Sequence, residues 1–292
     1  MRALVTGANG QLGIEVARVW GSADDELTLC AHSDLDVSDR EATLQAIGAV
    51  RPDVVVHLGA WTNVDGCETD PARAYASNAI GPRNVAEAAA LTGARVVYVS
   101  TDYVFDGRGN GSGPDGAYTE WDATGPVSHY GRSKLGGERE VLSILGPAAT
   151  IVRTSWVCGA FGSNFLKTML RLALDPEAKP AAVVDDQRGC PTFTADLAVT
   201  LRHLTVGRYP GVFHASNEGA LTWCGFAKAI FAAAGVDDGR VTPITTGQLV
   251  PARPAPRPAF SVLDNAALRA VGVPAMPPWQ SSLRACVASL RA

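Results

Sequence analysis

A tyrosine and a lysine stand four residues apart, at Tyr130 and Lys134. On a helix this spacing places both side chains on one face. A neighbouring ammonium favours the phenolate, so we expect the lysine to lower the pKa of the phenol from its usual value of about 10. A tyrosine tuned in this way can donate or accept a proton near neutral pH. The pair does not identify a reaction by itself, and its meaning depends on the elements that position it.

Those elements are short β-branched runs that alternate with alanine-rich helical segments through the first half of the chain. Strands are predicted at residues 3–5, 27–30, 54–58, 96–100 and 150–153. Helices are predicted at residues 11–20, 40–50 and 130–145, and in two stretches within 71–90 that break at Gly81-Pro82. This alternation predicts an α/β fold with a doubly wound parallel sheet of the Rossmann type. After about residue 155 the pattern loosens, which predicts a smaller, mixed α/β lobe.

The loop between the first strand and the first helix carries three glycines, Gly7, Gly10 and Gly13. A turn this tight needs residues without a Cβ atom, and the helix that follows presents free N–H groups to a pyrophosphate. The context of strand, turn and helix predicts a dinucleotide cofactor, and a purely structural glycine turn is the alternative.

The tip of the second predicted strand usually distinguishes NAD from NADP. An acid there binds the ribose 2′-hydroxyl, whereas a nearby arginine accommodates a 2′-phosphate. Here the tip reads Cys30-Ala31-His32-Ser33 and has neither, which leaves NADPH slightly preferred over NADH. Asp36 is a candidate acceptor for the adenine amine, or a turn and cap residue.

The fourth predicted strand leads directly into Thr101. In a doubly wound sheet the carboxyl ends of the strands face the ligand crevice. We therefore expect the hydroxyl of Thr101 to lie near the nicotinamide and to complete a triad with Tyr130 and Lys134.

With this triad the chain resembles the extended short-chain dehydrogenase/reductase superfamily and, within it, the dTDP-4-dehydrorhamnose reductases. The resemblance is carried by residues 5–13, 34–39, 59–65, 77–84, 100–107, 130–138, 153–157, 184–192 and 257–263. It implies an NADPH- or NADH-dependent enzyme that reduces the C4 keto group of a nucleotide-linked 4-keto-6-deoxyhexose. A dTDP-sugar is the expected substrate, as in the biosynthesis of dTDP-L-rhamnose or related deoxysugars.

The resemblance also implies roles for individual residues. The catalytic set is Thr101, Tyr130 and Lys134. The dinucleotide would contact Gly7, Gly10, Gln11, Leu12, Gly13, Asp36, Val37, Ala60, Trp61, Thr62, Tyr130 and Lys134. The sugar nucleotide would contact Thr101, Asp102, Tyr103, Trp156 and Arg257. Residues 1–152 would form the dinucleotide-binding domain, with 183–212 returning to it, and residues 153–182 and 213–292 the substrate-binding lobe.

Several substrate-side residues have more than one interpretation. Sugar-nucleotide dehydratases place an acid pair after the threonine, but here Asp102 is followed by Tyr103, so simple reduction fits better than dehydration. Trp156 is expected to stack on a sugar or base, or to be a core tryptophan. Arg253 and Arg257, in a proline-rich stretch, either clamp a diphosphate or lie solvated on a stiff linker.

The bulk composition limits the other partners. The net charge of −4 over 292 residues argues against nucleic acid or an anionic membrane as the main partner. The six cysteines are scattered without Cys-x-x-Cys spacing, which predicts free thiols in a reducing cytosol and no zinc site. Because residues 1–6 already read as a strand, we expect a cytoplasmic protein without a signal peptide.

Some alternatives stay open. Some relatives bind Mg²⁺ at a subunit contact through glutamates, and Glu15 lies in a comparable region, but no metal is assigned. The chain is expected to be a monomer or a homodimer. The alternative functions are a 4-ketoreductase with different C4 stereochemistry and a dinucleotide-binding regulatory subunit resembling that of methionine adenosyltransferase.

Overall fold

The computed structural model describes residues 1–21, 23 and 25–291. The strands are β1 Arg2–Thr6, β2 Glu26–Cys30, β3 Val54–His57, β4 Arg95–Thr101, β5 Ala149–Thr154, β6 Val157–Cys158, β7 Ala181–Val184, β8 Arg188–Gly189, β9 Thr192–Phe193, β10 Gly211–His214, β11 Leu221–Thr222 and β12 Val241–Ile244. The helices are α1 Gln11–Gly21, α2 Arg40–Val50, α3 Val64–Thr69, α4 Pro71–Tyr75, α5 Gly81–Thr92, α6 His129–Leu145, α7 Phe165–Leu174, α8 Thr194–Val206, α9 Trp223–Ala233, α10 Ala266–Ala270 and α11 Trp279–Arg291.

A six-stranded parallel sheet organises the molecule, in the order β2-β1-β3-β4-β5-β10. All four residues of β3 are buried, as expected of an apolar strand covered on both faces. The prediction of a doubly wound parallel sheet is therefore confirmed. The strand order reverses between β1 and β3, and ligands of such sheets bind beyond the carboxyl ends of the strands at this switch point.

Successive residues of β1 supply the two apolar layers because side chains alternate across a strand. Val5 packs in one cluster with Val16 of α1 and Leu197 of α8. Leu4 packs on the opposite face with residues of α2, α5 and α6. Trp20 of α1 is fully buried and donates from Nε1 to the carbonyl of Ala198, at 2.9 Å. The sheet is thus covered by helices on both faces.

The helical region 71–92 differs from the sequence-based prediction. The backbone does not break at Gly81-Pro82; it runs from α4 through a π-helical turn, Ala76–Ile80, directly into α5. Pro82 lies at the start of α5, where its missing N–H costs little. The irregularity therefore falls one turn before the predicted break.

The second half of the chain contributes to both parts of the molecule. Helix α8 packs on α1, and β10 joins the main sheet beside β5. By contrast, β7 pairs with β12 and β8 pairs with β11, while α7, α9 and α11 share a separate apolar core. The observed return to the sheet thus involves α8 and β10, whereas β7 and β8 pair with later strands. The division into a dinucleotide-binding domain and a substrate-binding lobe stays a prediction.

Among the helices of the described residues, none has the length and apolar character needed to cross a membrane.

Candidate active site

The glycine loop lies at the switch point and approaches the chain after β3 closely. Gly7 has a φ of +69°, and a Cβ atom there would lie 2.8 Å from the amide nitrogen of Gly59. A Cβ atom on Gly13 would lie 2.4 Å from the carbonyl oxygen of Gly7. The loop thus brings its backbone to the N-terminus of α1 without side chains in the way, which is the cradle that a pyrophosphate requires.

Two further cofactor candidates follow the loop. The amide of Gln11 donates from Nε2 to the carbonyl of Val157, at 3.2 Å, and its Oε1 accepts from Asn164. Its side chain therefore joins the start of α1 to β6 and to the start of α7. Leu12 is buried in the core beside Val16, so only its backbone is available to a ligand.

The acidic residues after β2 are engaged in turns. Asp34 accepts the amide N–H of Ala31 at 2.8 Å. Asp36 accepts from both the hydroxyl and the amide of Ser38, at 2.7 and 2.9 Å, and these two bonds lower the pKa of Asp36. The structure thus shows Asp36 as a turn residue, one of the roles that the sequence left open, while Asp39 caps α2. The predicted contact of Asp36 with adenine stays a prediction. The neighbouring carbonyl of Val37 accepts from Asn84 at 2.9 Å.

The segment after β3 carries Ala60, Trp61 and Thr62. Trp61 is fixed through its backbone, because its N–H donates to Asn78 Oδ1 at 2.8 Å and its carbonyl accepts from Asn78 Nδ2 at 3.1 Å. The Arg73 guanidinium lies 4.5 Å from the centre of the indole ring. The indole packs in one apolar cluster with Tyr130, so the predicted cofactor segment adjoins the predicted catalytic tyrosine. Thr62 is exposed.

The predicted catalytic residues come from two elements. Thr101 ends β4, and Tyr130 and Lys134 lie on the first two turns of α6, whose N-cap Ser128 accepts the N–H of Gly131 at 3.1 Å. The hydroxyl of Thr101 donates to Asp102 Oδ1 at 3.0 Å. Both α6 residues are buried, with 9 % of Tyr130 and 2 % of Lys134 exposed.

The lysine does not act on the phenol as the sequence suggested. Lys134 Nζ donates to the carbonyl of Val99 at 2.8 Å and lies 4.1 Å from the centre of the Tyr98 ring. Burial raises the pKa of Tyr130 above its ordinary value, and hydrogen bonding with the Thr101 side chain opposes that rise. The expectation of a lowered phenol pKa is therefore wrong for this structure, since desolvation outweighs the favourable contacts. Tyr130 stays protonated at neutral pH.

The charge of Lys134 is itself sensitive to its surroundings. Burial lowers the pKa of Lys134 to about 7, and the negative charge of Glu138 opposes that shift. An ordinary lysine titrates near 10.4, so the Lys134 side chain changes between ammonium and neutral amine close to neutral pH.

The substrate-side candidates Asp102 and Tyr103 lie at the end of β4. Burial raises the pKa of Asp102 to about 6. The rings of Tyr103 and Tyr130 meet edge to face, with their centroids 5.4 Å apart. Both candidates therefore adjoin the Thr101–Tyr130 pair.

Trp156 lies beyond β5 with a left-handed φ of 45°. Its ring stacks on Trp223, with centroids 3.6 Å apart and planes 10° from parallel. Gly189 contacts the same indole, and a Cβ atom there would lie 2.6 Å from Cε2 of Trp156. The residue is thus held in an aromatic pair that the sequence did not indicate, because nothing in the spacing of Trp223 pointed to it.

Arg257 has a partner that the sequence did not indicate. Its Nη1 and Nη2 donate to the two carboxylate oxygens of Asp65, at 2.7 and 2.8 Å. Asp65 Oδ1 also accepts the N–H of Ala255 at 3.1 Å. The sequence left open whether Arg253 and Arg257 lie solvated on a stiff linker. Arg257 does not, because Asp65 binds it, whereas Arg253 is exposed. The ion pair fastens the proline-rich segment to α3.

Two other supporting groups were missed. Asn78, in the π-helical turn, also donates from Nδ2 to Ser133 Oγ at 3.1 Å and thereby joins the Trp61 segment to α6. The available signal was an asparagine within a helical run, since asparagine is unfavourable there unless its amide has a partner. The structure buries this asparagine fully. Glu138 and its partner Arg153 form the second missed group.

The described residues contain no group of three or more His, Cys, Asp or Glu side chains that could hold a metal ion. Glu15, considered for Mg²⁺, pairs with Arg18 at 2.8 Å. The six cysteines are free thiols.

The chain combines a doubly wound sheet, a glycine loop at its switch point and a Tyr–Lys pair beside the end of β4. This combination defines the class of protein as a short-chain dehydrogenase/reductase-like oxidoreductase. The family model described as "RmlD substrate binding domain" matches residues 1–292. The chain belongs to this family.

Similar proteins match this chain over almost its full length. A dTDP-4-dehydrorhamnose reductase of Streptomyces griseus is 42 % identical over 287 residues, which cover 97 % of this chain and 91 % of the relative. A probable dTDP-4,6-dihydroxy-2-methyloxan-3-one 4-ketoreductase of Streptomyces antibioticus is 43 % identical over 292 residues, covering 97 % and 94 %.

Two solved structures superpose on almost the whole chain. A dTDP-4-dehydrorhamnose reductase of Clostridium acetobutylicum superposes with a TM-score of 0.93 at 39 % identity and covers 100 % of both chains. The enzyme of the same name from Bacillus anthracis, solved in complex with NADP, superposes with a TM-score of 0.91 at 38 % identity and covers 99 % of both chains.

Proposed function

We propose that this protein reduces the C4 keto group of a dTDP-linked 4-keto-6-deoxyhexose with NADPH or NADH, in deoxysugar biosynthesis. The observation that carries the proposal is the meeting of Thr101 and Tyr130 at the end of β4, next to the Trp61 segment of the switch point. The names of relatives about 40 % identical over nearly the whole chain support the reaction and the substrate class.

The cofactor fits the residues present. Gly7 and Gly13 leave room for a pyrophosphate where a Cβ atom would collide. We assign the dinucleotide to the loop backbone of Gly7 to Gly13, to the turn at Asp36 and Val37, and to the segment Ala60 to Thr62. When bound, a reduced nicotinamide supplies the hydride that the carbonyl carbon accepts. NADPH is preferred here, as the complex of the Bacillus anthracis relative with NADP supports.

The protein supplies the proton. Because burial keeps the pKa of Tyr130 above its ordinary value, its hydroxyl carries the proton that the C4 oxygen needs as negative charge develops there. Thr101 bonds the same oxygen once its hydroxyl turns from Asp102 Oδ1, which stabilises the developing charge. Lys134 presents its ammonium to the nicotinamide ribose from the next turn of α6.

The sugar nucleotide is assigned to the opposite side of the crevice. Asp102 and Tyr103 adjoin the reacting oxygen, and Trp156 offers an indole already held by Trp223. Arg257 contributes by anchoring the proline-rich segment through Asp65, since both of its terminal nitrogens are engaged. We further propose that the protein acts as a monomer or homodimer.

A second candidate function differs in the stereochemistry of the product at C4. Relatives include a dTDP-4-keto-6-deoxy-D-glucose reductase of Streptomyces niveus, 35 % identical over 282 residues. This similarity favours a 4-ketoreductase of a specialised deoxysugar pathway as the alternative, which NMR analysis of the product after turnover with labelled hydride distinguishes.

The test is the fall of NADPH absorbance on addition of dTDP-4-keto-6-deoxysugars. Tyr130→Phe should lower turnover by about 10² to 10⁴ because the general acid is lost, with the fold intact by circular dichroism. Tyr75→Phe, at a side chain on α4 that is 39 % exposed, should leave turnover unchanged. A Tyr130→Phe variant at full rate would refute the assignment. NADPH binding by the wild-type protein without turnover of any such sugar would favour the regulatory subunit.

A further inference from the structure

A buried charged cluster lies directly behind the Tyr–Lys pair. Glu138, one turn beyond Lys134 on α6, is 2 % exposed. Its Oε1 accepts from Ser100 Oγ at 2.5 Å and from Arg153 Nε at 3.0 Å. Its Oε2 accepts from Arg153 Nη2 at 2.7 Å. The proposed reaction gives this cluster no chemical step, so its position needs another explanation.

The partners of Glu138 belong to the two strands that carry the site. Ser100 precedes Thr101 on β4, and Arg153 lies opposite Ser100 in the register of β5. The carboxylate therefore ties the third turn of α6 to the ends of both strands. Charge-assisted, two-pronged bonds of this kind fix direction as well as distance.

Among the described residues, no charged group forms an ion pair with the ammonium of Lys134. Nζ contacts the carbonyl of Val99 and the ring of Tyr98, and neither group carries a full negative charge. On an α-helix residues four apart share a face, so Glu138 lies on the side of α6 on which Lys134 is buried.

The titratable groups around Lys134 come from four elements. Lys134 interacts with Glu138 on α6, His57 on β3 and Tyr98 on β4, and Arg153 on β5 reaches this set through Glu138. Burial lowers the pKa of His57 to about 3 and raises that of Tyr98 well above its ordinary value, so both are neutral near pH 7. Glu138 is the anionic member of this set.

We propose that Glu138 is a positioning residue for the reduction, which holds α6 against β4 and β5 and keeps the buried ammonium of Lys134 charged. This inference rests on the proposed function for its kinetic test. Ser100 and Arg153 orient the carboxylate. The opposition of Glu138 to the burial-induced fall of the Lys134 pKa agrees with this role.

The first variant is Glu138→Gln, which keeps the shape and a carbonyl acceptor for Ser100 but removes the charge. The alkaline limb of the pH profile of kcat, where Lys134 loses its proton, should move to lower pH by about one unit. Activity at a pH above both limbs should then fall about tenfold. Glu140→Gln on the exposed side of the same helix, where the side chain is 38 % exposed, should leave the profile unchanged.

A second variant keeps the proposal testable if unpaired Arg153 prevents folding. Glu138→Gln combined with Arg153→Met removes both buried charges, which proteins tolerate better than the loss of one. The double variant should fold and retain an acid shift of the alkaline limb. A purely structural role predicts lower stability and a lower kcat with the limb in place or moved to higher pH, and that result in both variants would overturn the proposal.

The pH dependence of NADPH affinity, followed by quenching of tryptophan fluorescence, gives a readout that needs no sugar substrate. The affinity of Glu138→Gln should weaken at a lower pH than that of the wild-type protein. If the wild-type protein turns over no dTDP-keto sugar but the binding limb still shifts, the proposed function fails and the role of Glu138 stands. If the wild-type protein is active and neither limb shifts, the role of Glu138 fails alone.

Discussion

Two adjacent glycines of α6 make unequal contacts with the π-helical turn. A Cβ atom on Gly137 would lie 2.3 Å from the carbonyl oxygen of Asn78 and 2.6 Å from the hydroxyl of Tyr98. A Cβ atom on Gly136 would meet only the methyl group of Ala79, at 3.1 Å. Because the Tyr98 ring lies under the ammonium of Lys134, Gly137→Ala should push α6 away from the predicted site.

The magnitude follows from three opposing effects. Replacing a glycine by alanine in a helix interior gains about 1 kcal/mol. Overpacking against a backbone carbonyl costs about 1–3 kcal/mol. Loss of the 3.2 Å bond from the Tyr98 hydroxyl to the Asn78 carbonyl costs about 1 kcal/mol more. Gly137→Ala should therefore lower the free energy of unfolding by about 2 kcal/mol, which corresponds to about 4 °C in Tm.

Urea unfolding followed by circular dichroism measures this change, and steady-state turnover of the same samples measures the displacement of α6. Gly48→Ala on α2 is the matched control, because a Cβ atom there meets no heavy atom within 4 Å. The control should gain about 1 kcal/mol of stability. If Gly137→Ala gains stability as Gly48→Ala does, the close packing of α6 on the π-helical turn is refuted.

Three further predictions concern other parts of the molecule. Asp65→Asn removes the charged partner of the proline-rich segment, worth about 1.5–3 kcal/mol, so hydrogen exchange of the Ala255 amide should accelerate about tenfold or more; an unchanged rate would contradict the anchoring role. Gly13→Ala places a Cβ atom 2.4 Å from a loop carbonyl and should weaken NADPH binding about tenfold or more, as fluorescence titration would show; an unaltered Kd argues against the cradle. Burial lowers the pKa of His57 and His214 to about 3 from 6.5, so the stability that these neutral side chains contribute is present above pH 6.5 and is lost as the pH falls through 3. Urea titrations at stepped pH should show this decline in the free energy of unfolding. If the free energy of unfolding of a His57→Gln variant falls with pH as steeply as that of the wild-type protein, the prediction for His57 is wrong.

The sheet was predictable because its signals are local. An apolar run such as Val54–His57 specifies a strand buried on both faces, and alternation with helices specifies parallel pairing. The glycine loop was predictable for the same reason, since its spacing and its place after β1 are visible within a dozen residues. These features depend on neighbours in sequence.

The parts that were missed depend on partners distant in sequence. Arg257 binds a carboxylate 192 positions away, and no local pattern distinguishes that arrangement from a solvated arginine. The irregular turn Ala76–Ile80 falls before the predicted break because Asn78 within it binds the Trp61 backbone and Ser133. The spacing of Tyr130 and Lys134 showed that they share a face, but not that burial would dominate their pKa values.

One face of α6 carries both the proposed chemistry and the packing of the helix. Tyr130, Lys134, Glu138 and Val141 are all buried and recur at helical spacing, and Gly137 lies beside them. A substitution on this face that alters packing therefore changes stability and activity together, so turnover must be measured beside stability. The direction in which the pKa of Lys134 moves separates the two effects. Loss of the Glu138 charge lowers that pKa, whereas looser packing admits water and raises it.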